Sequence, residues 1–528
     1  MILSKTLRLI TAGIVVVLLG LPLVACTQET RQEDVLDVAF QSAISNLDHI
    51  FTTKREYIIL SQLIDDFLFQ VDPESLEYEP LLAESYEFVD PTTLDIQLRS
   101  GVKFHDGSTL TADDVVYTYR FVIDPDNGAR AQQHISKWLV SVEKTGRLSV
   151  RFHLKFPYPL ALRDMAVTVP IRRANSYDVD GELDKSALVT QENGLGPYEV
   201  VEFVPGREVL LKRFDQYYAA SPKGQPQIET IRIHTVSDWG AAQAGVLAGE
   251  LDWLYNVPND IAQNLAASGY AKRLVGPSMR IGFILLDAAG ITGSDNPLTQ
   301  LAVRRAINYA IDRESIVKNL VGEGATVIHS GCNPVQFGCE QDVKRYPHNP
   351  EKARELLAEA GYSNGFELPL WAYREPYVAE AIAQDLRDVG IDVDMRYVQL
   401  PVLNKARSGG AIPAYFGTWG AGGTADVAAT LSVHWNLETD RNLARDPAVA
   451  QWVADAEKTR DKERRRELYS SALKRIADQA YWVPLYVYPQ NYIVNERLMF
   501  PVPRDGLPRL YGTRWLSSEQ TDDHEGGD

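Results

Sequence analysis

Gly361-Tyr362-Ser363-Asn364-Gly365 matches G-x-S-x-G, the spacing that in some hydrolases presents a serine as a nucleophile. That chemistry needs a strand before the serine and a helix after it, so that a sharp turn exposes the hydroxyl. Here the helix-forming PEKARELLAEA (350–360) comes first and the strand-forming FELPLWA (366–372) second. The order is reversed, and Ser363 reads as a turn residue. The nine histidines include no close pair at metal-ligand spacing. His434, beside Trp435, is the one histidine to watch, with a purely structural role as the competing reading. No HExxH, Walker loop or Rossmann glycine set stands in a suitable context. No catalytic residue, metal or cofactor is expected, and the chain does not read as an enzyme.

The three cysteines divide into one and two. Cys332 and Cys339 flank a Pro- and Gly-containing turn, which in an oxidising compartment predicts a disulfide. So short a loop gains only about 2–3 kcal/mol from closure, enough to pin a loop but not to hold a fold. Cys26 sits in a different context. Lys5 and Arg8 precede an apolar run over 10–24, too short to span a bilayer comfortably, and then comes Leu23-Val24-Ala25-Cys26. This looks like a bacterial lipobox, so 1–25 is expected to be a lipoprotein signal peptide, Cys26 the lipidated residue and 26–34 a polar tether. Acyl chains contribute about 0.8 kcal/mol per buried CH₂, enough for several on one residue to hold the chain at a membrane surface. The expected location is periplasmic or cell-surface.

Net charge is −18, and −20 without Lys5 and Arg8. An acidic surface argues against nucleic acid and against docking on anionic headgroups. The roughly 500 residues after the leader exceed what one core supports, so at least two lobes are expected, joined by short hinge strands.

The elements that must position these residues follow from pattern. Residues 35–40, 94–98, 209–214 and 228–233 read as strands. Thr111 and Asp114 make a capping-box-like start for a helix through Asp124. Residues 301–320 carry a helical apolar stripe, Asn349-Pro350 starts another helix that Gly361 stops, and a third around 379–389 ends at Gly390. IDVDMRYV then follows as a strand, and a long polar helical region over 446–480 precedes the strand-like WVPLYVY. Alternating helices and strands indicate an α/β protein.

Several blocks carry a more specific signal: LLAESYEF and LRSGVKFHDGSTLTADDVVYTY between 81 and 119, GPYEV at 196–200, LAGELDW at 247–253, AVRRAINYAIDRESIV at 302–317 and PEKARELLAEAGY at 350–362. In this order they resemble the extracellular solute-binding proteins of family five, the oligopeptide- and dipeptide-binding components of ABC importers. The resemblance implies a periplasmic-binding-protein type II clamshell with two lobes and an extra N-terminal subdomain. Lobe I would be discontinuous (35–69, 195–283 and 488–528), with the subdomain at 70–194 and lobe II at 284–487. It also implies a monomer that binds a small molecule or peptide between its lobes and hands it to permease subunits. A chemosensory receptor on the same fold is the second class.

In dipeptide-binding relatives an Arg grips the ligand carboxylate and an Asp three residues after a cleft Trp holds its amine. LWAYREPY nominates Arg374, with Tyr373 beside it and Trp371 as a weaker aromatic. A salt bridge from Arg374 to Glu375 or Glu380 is the alternative. The Trp is Trp419, in TWGAGGTAD, with ordinary core packing as its competing reading, and the position three residues on is Gly422, not Asp. Gly422 and Gly423 leave room for a ligand near the backbone. Asp426 is a candidate for the missing carboxylate or a cap for the helix beginning VAATL, and Trp435 is a further cleft candidate. The implied ligand is a peptide or peptide-like solute, with opines, sugar-containing compounds and metal chelates as alternatives.

Overall fold

The computed structural model describes residues 35–52, 54–179, 182–184 and 193–516. The leader, the tether and Cys26 lie outside the described residues. No helix among the described residues is long and apolar enough to cross a membrane.

Leu36, Val38 and Phe40 alternate inward along the opening strand Val35–Phe40, and every one is fully buried. This strand lies inside an 11-stranded sheet of the described residues, between parallel neighbours Thr230–Thr235 and Trp253–Tyr255. Tyr198–Val204 and Glu208–Arg213 extend that half outward. The other half consists of Ala414–Trp419, Phe366–Ala372 and Ile391–Tyr397. Parallel pairing of 366–372 with 391–397 follows from the intervening helix Pro376–Asp388, whose Ile382, Ala383 and Leu386 are buried.

Two long antiparallel strands, Ala271–Leu286 and Trp482–Asn495, belong to both halves. Their register runs from Ala271 opposite Asn495 to Pro277 opposite Pro489, shifts, and resumes at Ile281 opposite Val487. Facing prolines cannot donate to the ladder, so pairing breaks where one half becomes the other. The Ser278 hydroxyl donates to the Tyr488 carbonyl across the gap, at 2.7 Å.

A separate four-stranded sheet runs 83–90, 93–98, 149–154 and 139–146 in spatial order, with the helix Ala112–Ile123 supplying buried Val115, Tyr119 and Val122 to the same core. The start of that helix is as the sequence suggests. Thr111 donates to the Asp114 carboxylate through both its amide (2.7 Å) and its hydroxyl (2.9 Å). This part is tied to the main sheet by Arg172, whose guanidinium reaches Asp48 (2.9 Å) and Asp65 (2.5 Å) with all three side chains buried.

Two expected helices are each divided. The stripe over 301–320 stops at Ala310; Ile311 is extended, and Asp312 caps a new helix by accepting from the Ser315 amide. The 446–480 region forms Pro447–Ala456 and Lys462–Asp478, each begun by an aspartate cap, Asp446 and Asp461. Asp312 and Asp461, at the two breaks, fit the polar face of a continuous helix equally well, so periodicity alone hid them.

Candidate ligand-binding site

A cavity of about 650 Å³ opens between residues of the first half (His49, Ile58), the four-stranded part (Tyr158, Arg163) and the second half (Trp419, Gly422, Arg441). Trp419 ends the strand Ala414–Trp419, so its ring leaves the sheet at the cavity wall. Its indole N–H donates to the Ala429 carbonyl (2.7 Å), and the Arg441 guanidinium lies 5.3 Å from its ring centroid. A ring held by a hydrogen bond and a cation loses little further freedom when a ligand packs on it.

Of the glycines after Trp419, Gly420 leaves room beside Arg280, and Gly422 and Gly423 supply a left-handed backbone. A Cβ on Gly420 would sit 3.2 Å from Arg280 Nη2, and one on Gly422 would sit 3.4 Å from Arg163 Nη2. Gly422 and Gly423 also have φ of 57° and 77°, a backbone region side chains disfavour. Gly422 lines the cavity, and Gly423 lies against Leu507 and Asp505 beside it. The bare loop thus lets arginines from two other segments approach its backbone.

Arg374 faces a neighbouring cavity of about 220 Å³, with Arg55, Glu56, Tyr255, Arg280 and Tyr488. Its Nε donates to Glu375 (2.9 Å) and its Nη1 to the Thr418 hydroxyl oxygen (3.2 Å). Arg374 thus makes the Glu375 salt bridge and also lines a cavity, whereas Glu380 is near Arg387 instead. Tyr373 reaches the same Thr418 oxygen (3.3 Å), as does Arg280 Nη1 (2.8 Å). Burial, with Arg374 and then Arg55 nearby, pushes Arg280 down to about 10. Thr418 thus gathers Arg280, Arg374 and Tyr373 at one oxygen, and Trp419, which lines the larger cavity, is the next residue of the strand.

Three nominated residues are placed elsewhere. Asp426 is buried with one oxygen accepting from Arg465 (2.7 Å) and the other from the amide of Ala428 (2.9 Å), the first residue of the helix Ala428–Trp435, so both oxygens are engaged within the protein. Trp435 is fully buried against Tyr481 and Trp482, a core position. Trp371 lies under the Arg396 guanidinium at 5.4 Å, on neither cavity. Arg55, Arg163, Arg280 and Arg441 were not visible as site residues, because nothing local to each marks the surface it faces.

Cys332 and Cys339 are joined, with Cα atoms 5.7 Å apart. The loop they close holds the cleft loop. The Phe337 amide donates to the Ala425 carbonyl (2.8 Å), the Gln336 side chain to the Thr424 carbonyl (2.9 Å), and the Asn333 side chain to Ser278 (2.7 Å) at the register break.

His434 is fully buried, with Nδ1 donating to the Thr430 carbonyl (2.9 Å) and its ring edge-on to Phe283, Trp419 and Trp482. Burial pushes it from 6.5 down to about 3. The unfolded chain therefore takes up a proton that the native chain refuses between those values. Its contribution to stability is intact above about 6.5 and is lost as pH falls toward 3, with a slope of up to about 1.4 kcal/mol per pH unit. Urea unfolding from pH 7 to 4 should show a flatter acid limb in His434→Phe than in the parent, and identical limbs would refute this. Among the described residues no group of three His, Cys, Asp or Glu could hold a metal ion.

Residues 77–438 match the family model for bacterial extracellular solute-binding proteins, family 5 middle. The glutathione-binding protein GsiB of Escherichia coli (strain K12) is 29% identical over 440 residues, covering 80% of this chain and 82% of that protein. Its counterpart in Salmonella paratyphi A is 27% identical over 441 residues, with the same coverage. The substrate-binding protein CtaP of Listeria monocytogenes superposes with a TM-score of 0.80 at 21% identity, covering 92% of this chain and 99% of that one. A dipeptide-binding protein from Pseudoalteromonas sp. SM9913, solved with Met-Leu, superposes at 0.75 with 20% identity, covering 91% and 100%. The shared architecture is the type II periplasmic-binding-protein clamshell fold. With a family-model match over 77–438 that includes the whole four-stranded sheet and the strand ending in Trp419, the chain belongs to the bacterial extracellular solute-binding proteins of family 5.

Proposed function

We propose that this protein is the extracytoplasmic receptor of an ABC importer and captures an acidic, peptide-like solute between its lobes for delivery to the permease. The observation that carries the reading is the junction at Thr418: the wall residue Trp419 leads into one cavity, while Arg374 and Arg280 converge on the preceding hydroxyl from the other. Guanidiniums suit carboxylates because they donate two parallel hydrogen bonds. The glutathione-binding names of the relatives fit a peptide-like acid, and glutathione is the first solute to test.

Gly422 stands where dipeptide-binding relatives carry an amine-binding Asp, and Asp426 is occupied by Arg465. Calorimetry should therefore find N-acetylation of the ligand changing affinity by less than about threefold, and amidation of its carboxylates weakening it by about 30-fold or more. A strong requirement for the free amine, or indifference to amidation, would overturn the reading.

The break in register at Pro277–Ile281 supports a lobe boundary close to 283/284, and its partner at Val487–Pro489 one close to 487/488. Export and anchoring at Cys26 complete the proposal, and Cys26→Ser should move the protein from the membrane fraction to the soluble one. We take the receptor to work as a monomer.

A further inference from the structure

We propose that the larger cavity holds a second acid subsite, read by Arg441 over Trp419, so that the solute carries two separated acid groups, one for each cavity. This rests on the reading above that an acidic solute is held beside Trp419 and Arg374. It adds how many acids the solute carries and which residue takes the second.

Arg441 is half-buried on the wall of the 650 Å³ cavity. Among the described residues its guanidinium makes no hydrogen bond and no ion pair. It lies over the Trp419 ring, 5.3 Å from the centroid. A guanidinium on an aromatic face keeps its edge, where the N–H groups are, free for an acid.

The other charges around this cavity cancel. Lys137 pairs with Glu457 (2.6 Å) and Arg163 with Asp164 (2.9 Å). Asp440, next to Arg441 in sequence, is paired with Arg407 (3.3 Å). His49 and His134 also line the cavity, and burial pushes both below the usual histidine value, toward the neutral ring. Among the described residues Arg441 is the charge left over.

The smaller cavity has the same balance. Arg55, Arg280 and Arg374 line it with Glu56, and Glu375 lies against Arg374 (2.9 Å). Three cations meet two carboxylates, so one positive charge is again in surplus. In a chain of net charge −18, an unmatched cation at each of two neighbouring cavities is not the background. A half-buried cation without a partner is unfavourable until an anion arrives.

One surplus cation calls for one negative charge. A mono-acid would leave the cation of one cavity bare, and a doubly charged head would leave its second charge unmatched. Two carboxylates at separate positions on one solute answer both. The two positions are near each other. Thr418, where Arg374 and Arg280 converge, is followed in the strand by Trp419, which Arg441 covers. The Tyr373 hydroxyl reaches Thr418 (3.3 Å) and also acts electrostatically on Arg441.

The test captures solute and counts its acids. The full mature protein is equilibrated with a peptone digest, repurified without unfolding, and its solute released. Esterification with methanol then adds one methyl per acid group, which mass spectrometry reads. The parent should hold a molecule that gains two or more methyls. Arg441→Gln should hold that molecule at about one-tenth of the parent's level or less, and Arg441→Lys at an intermediate level. The ligand-free thermal midpoint of Arg441→Gln should lie within about 2 °C of the parent's, since no hydrogen bond or ion pair is removed. A peptide-like solute with one acid group, or a peptide-like di-acid retained equally by Arg441→Gln, overturns the second subsite and leaves the earlier reading standing. A midpoint lowered by more than about 5 °C in both Arg441 variants assigns the residue to structure and also overturns the subsite. A di-acid without peptide-like amides, lost from Arg441→Gln, supports the subsite and overturns the earlier reading. A neutral solute, or none, overturns both.

Discussion

Arg172→Leu is expected to destabilise the protein by about 3–5 kcal/mol, the range for removing one partner from a buried charge cluster. Arg172 Nη1 and Nη2 donate to Asp65 and Asp48, and the three side chains are at most 1% exposed. Burial raises the Asp65 carboxyl while Arg172 opposes it. Without the guanidinium, two carboxylates are enclosed with no cation between them, and one must take a proton or the surrounding packing must open. The Arg172 backbone also exchanges hydrogen bonds with the Thr118 hydroxyl on the helix of the four-stranded part, so the cluster fastens that part to the main sheet. Urea denaturation should show the loss in midpoint. A shift of under about 1 kcal/mol would mean that the pair contributes no more than an exposed one. The double variant Arg172→Leu, Asp65→Leu should recover part of the loss, because apolar replacement of both partners removes the uncompensated charge.

Arg374→Ala is expected to weaken solute binding by about 2–5 kcal/mol, which is about 30- to several thousand-fold, while changing unfolding by little. The asymmetry follows from where the side chain sits. In the ligand-free protein it is about one-third exposed and paired to Glu375, a contact of modest worth. With an acid enclosed against it, its removal leaves that acid charge without its partner. Titration calorimetry with glutathione on parent and variant measures the first effect, and parallel thermal scans measure the second. A large loss of stability with little loss of affinity would assign Arg374 to structure alone.

Much of the scaffold was legible because it is written locally. Thr111 with Asp114, Asn349-Pro350, Gly361 and Gly390 mark helix ends through groups a few residues apart, and the structure places ends at each. The blocks between 81 and 362 carried the family, which the match over 77–438 shows. What failed locally was continuity. Asp312 and Asp461 interrupt helices whose apolar stripes run on, and the strand beginning WVPLYVY continues to Asn495 past Pro489 because it pairs in both halves of the sheet. The site was only half legible for a related reason. Trp419, Gly422 and Arg374 stood in recognisable strings, and the structure puts them on two adjoining cavities. Arg280 and Arg55 meet Arg374 only through the register of the crossing strands and the seating of the helix Arg55–Ile64, which are long-range properties of the sheet. Asp426 looked available until Arg465, on a separate helix, claimed its carboxylate.

The central claim is that an acidic, peptide-like solute occupies the space between the lobes. Native mass spectrometry of protein purified without unfolding, followed by identification of what it releases, tests this most directly. The account predicts one bound molecule per chain carrying peptide-like amides and at least one acid group, and its absence from Arg374→Ala purified in the same way. A neutral bound molecule, or an acidic one retained equally by Arg374→Ala, would contradict it.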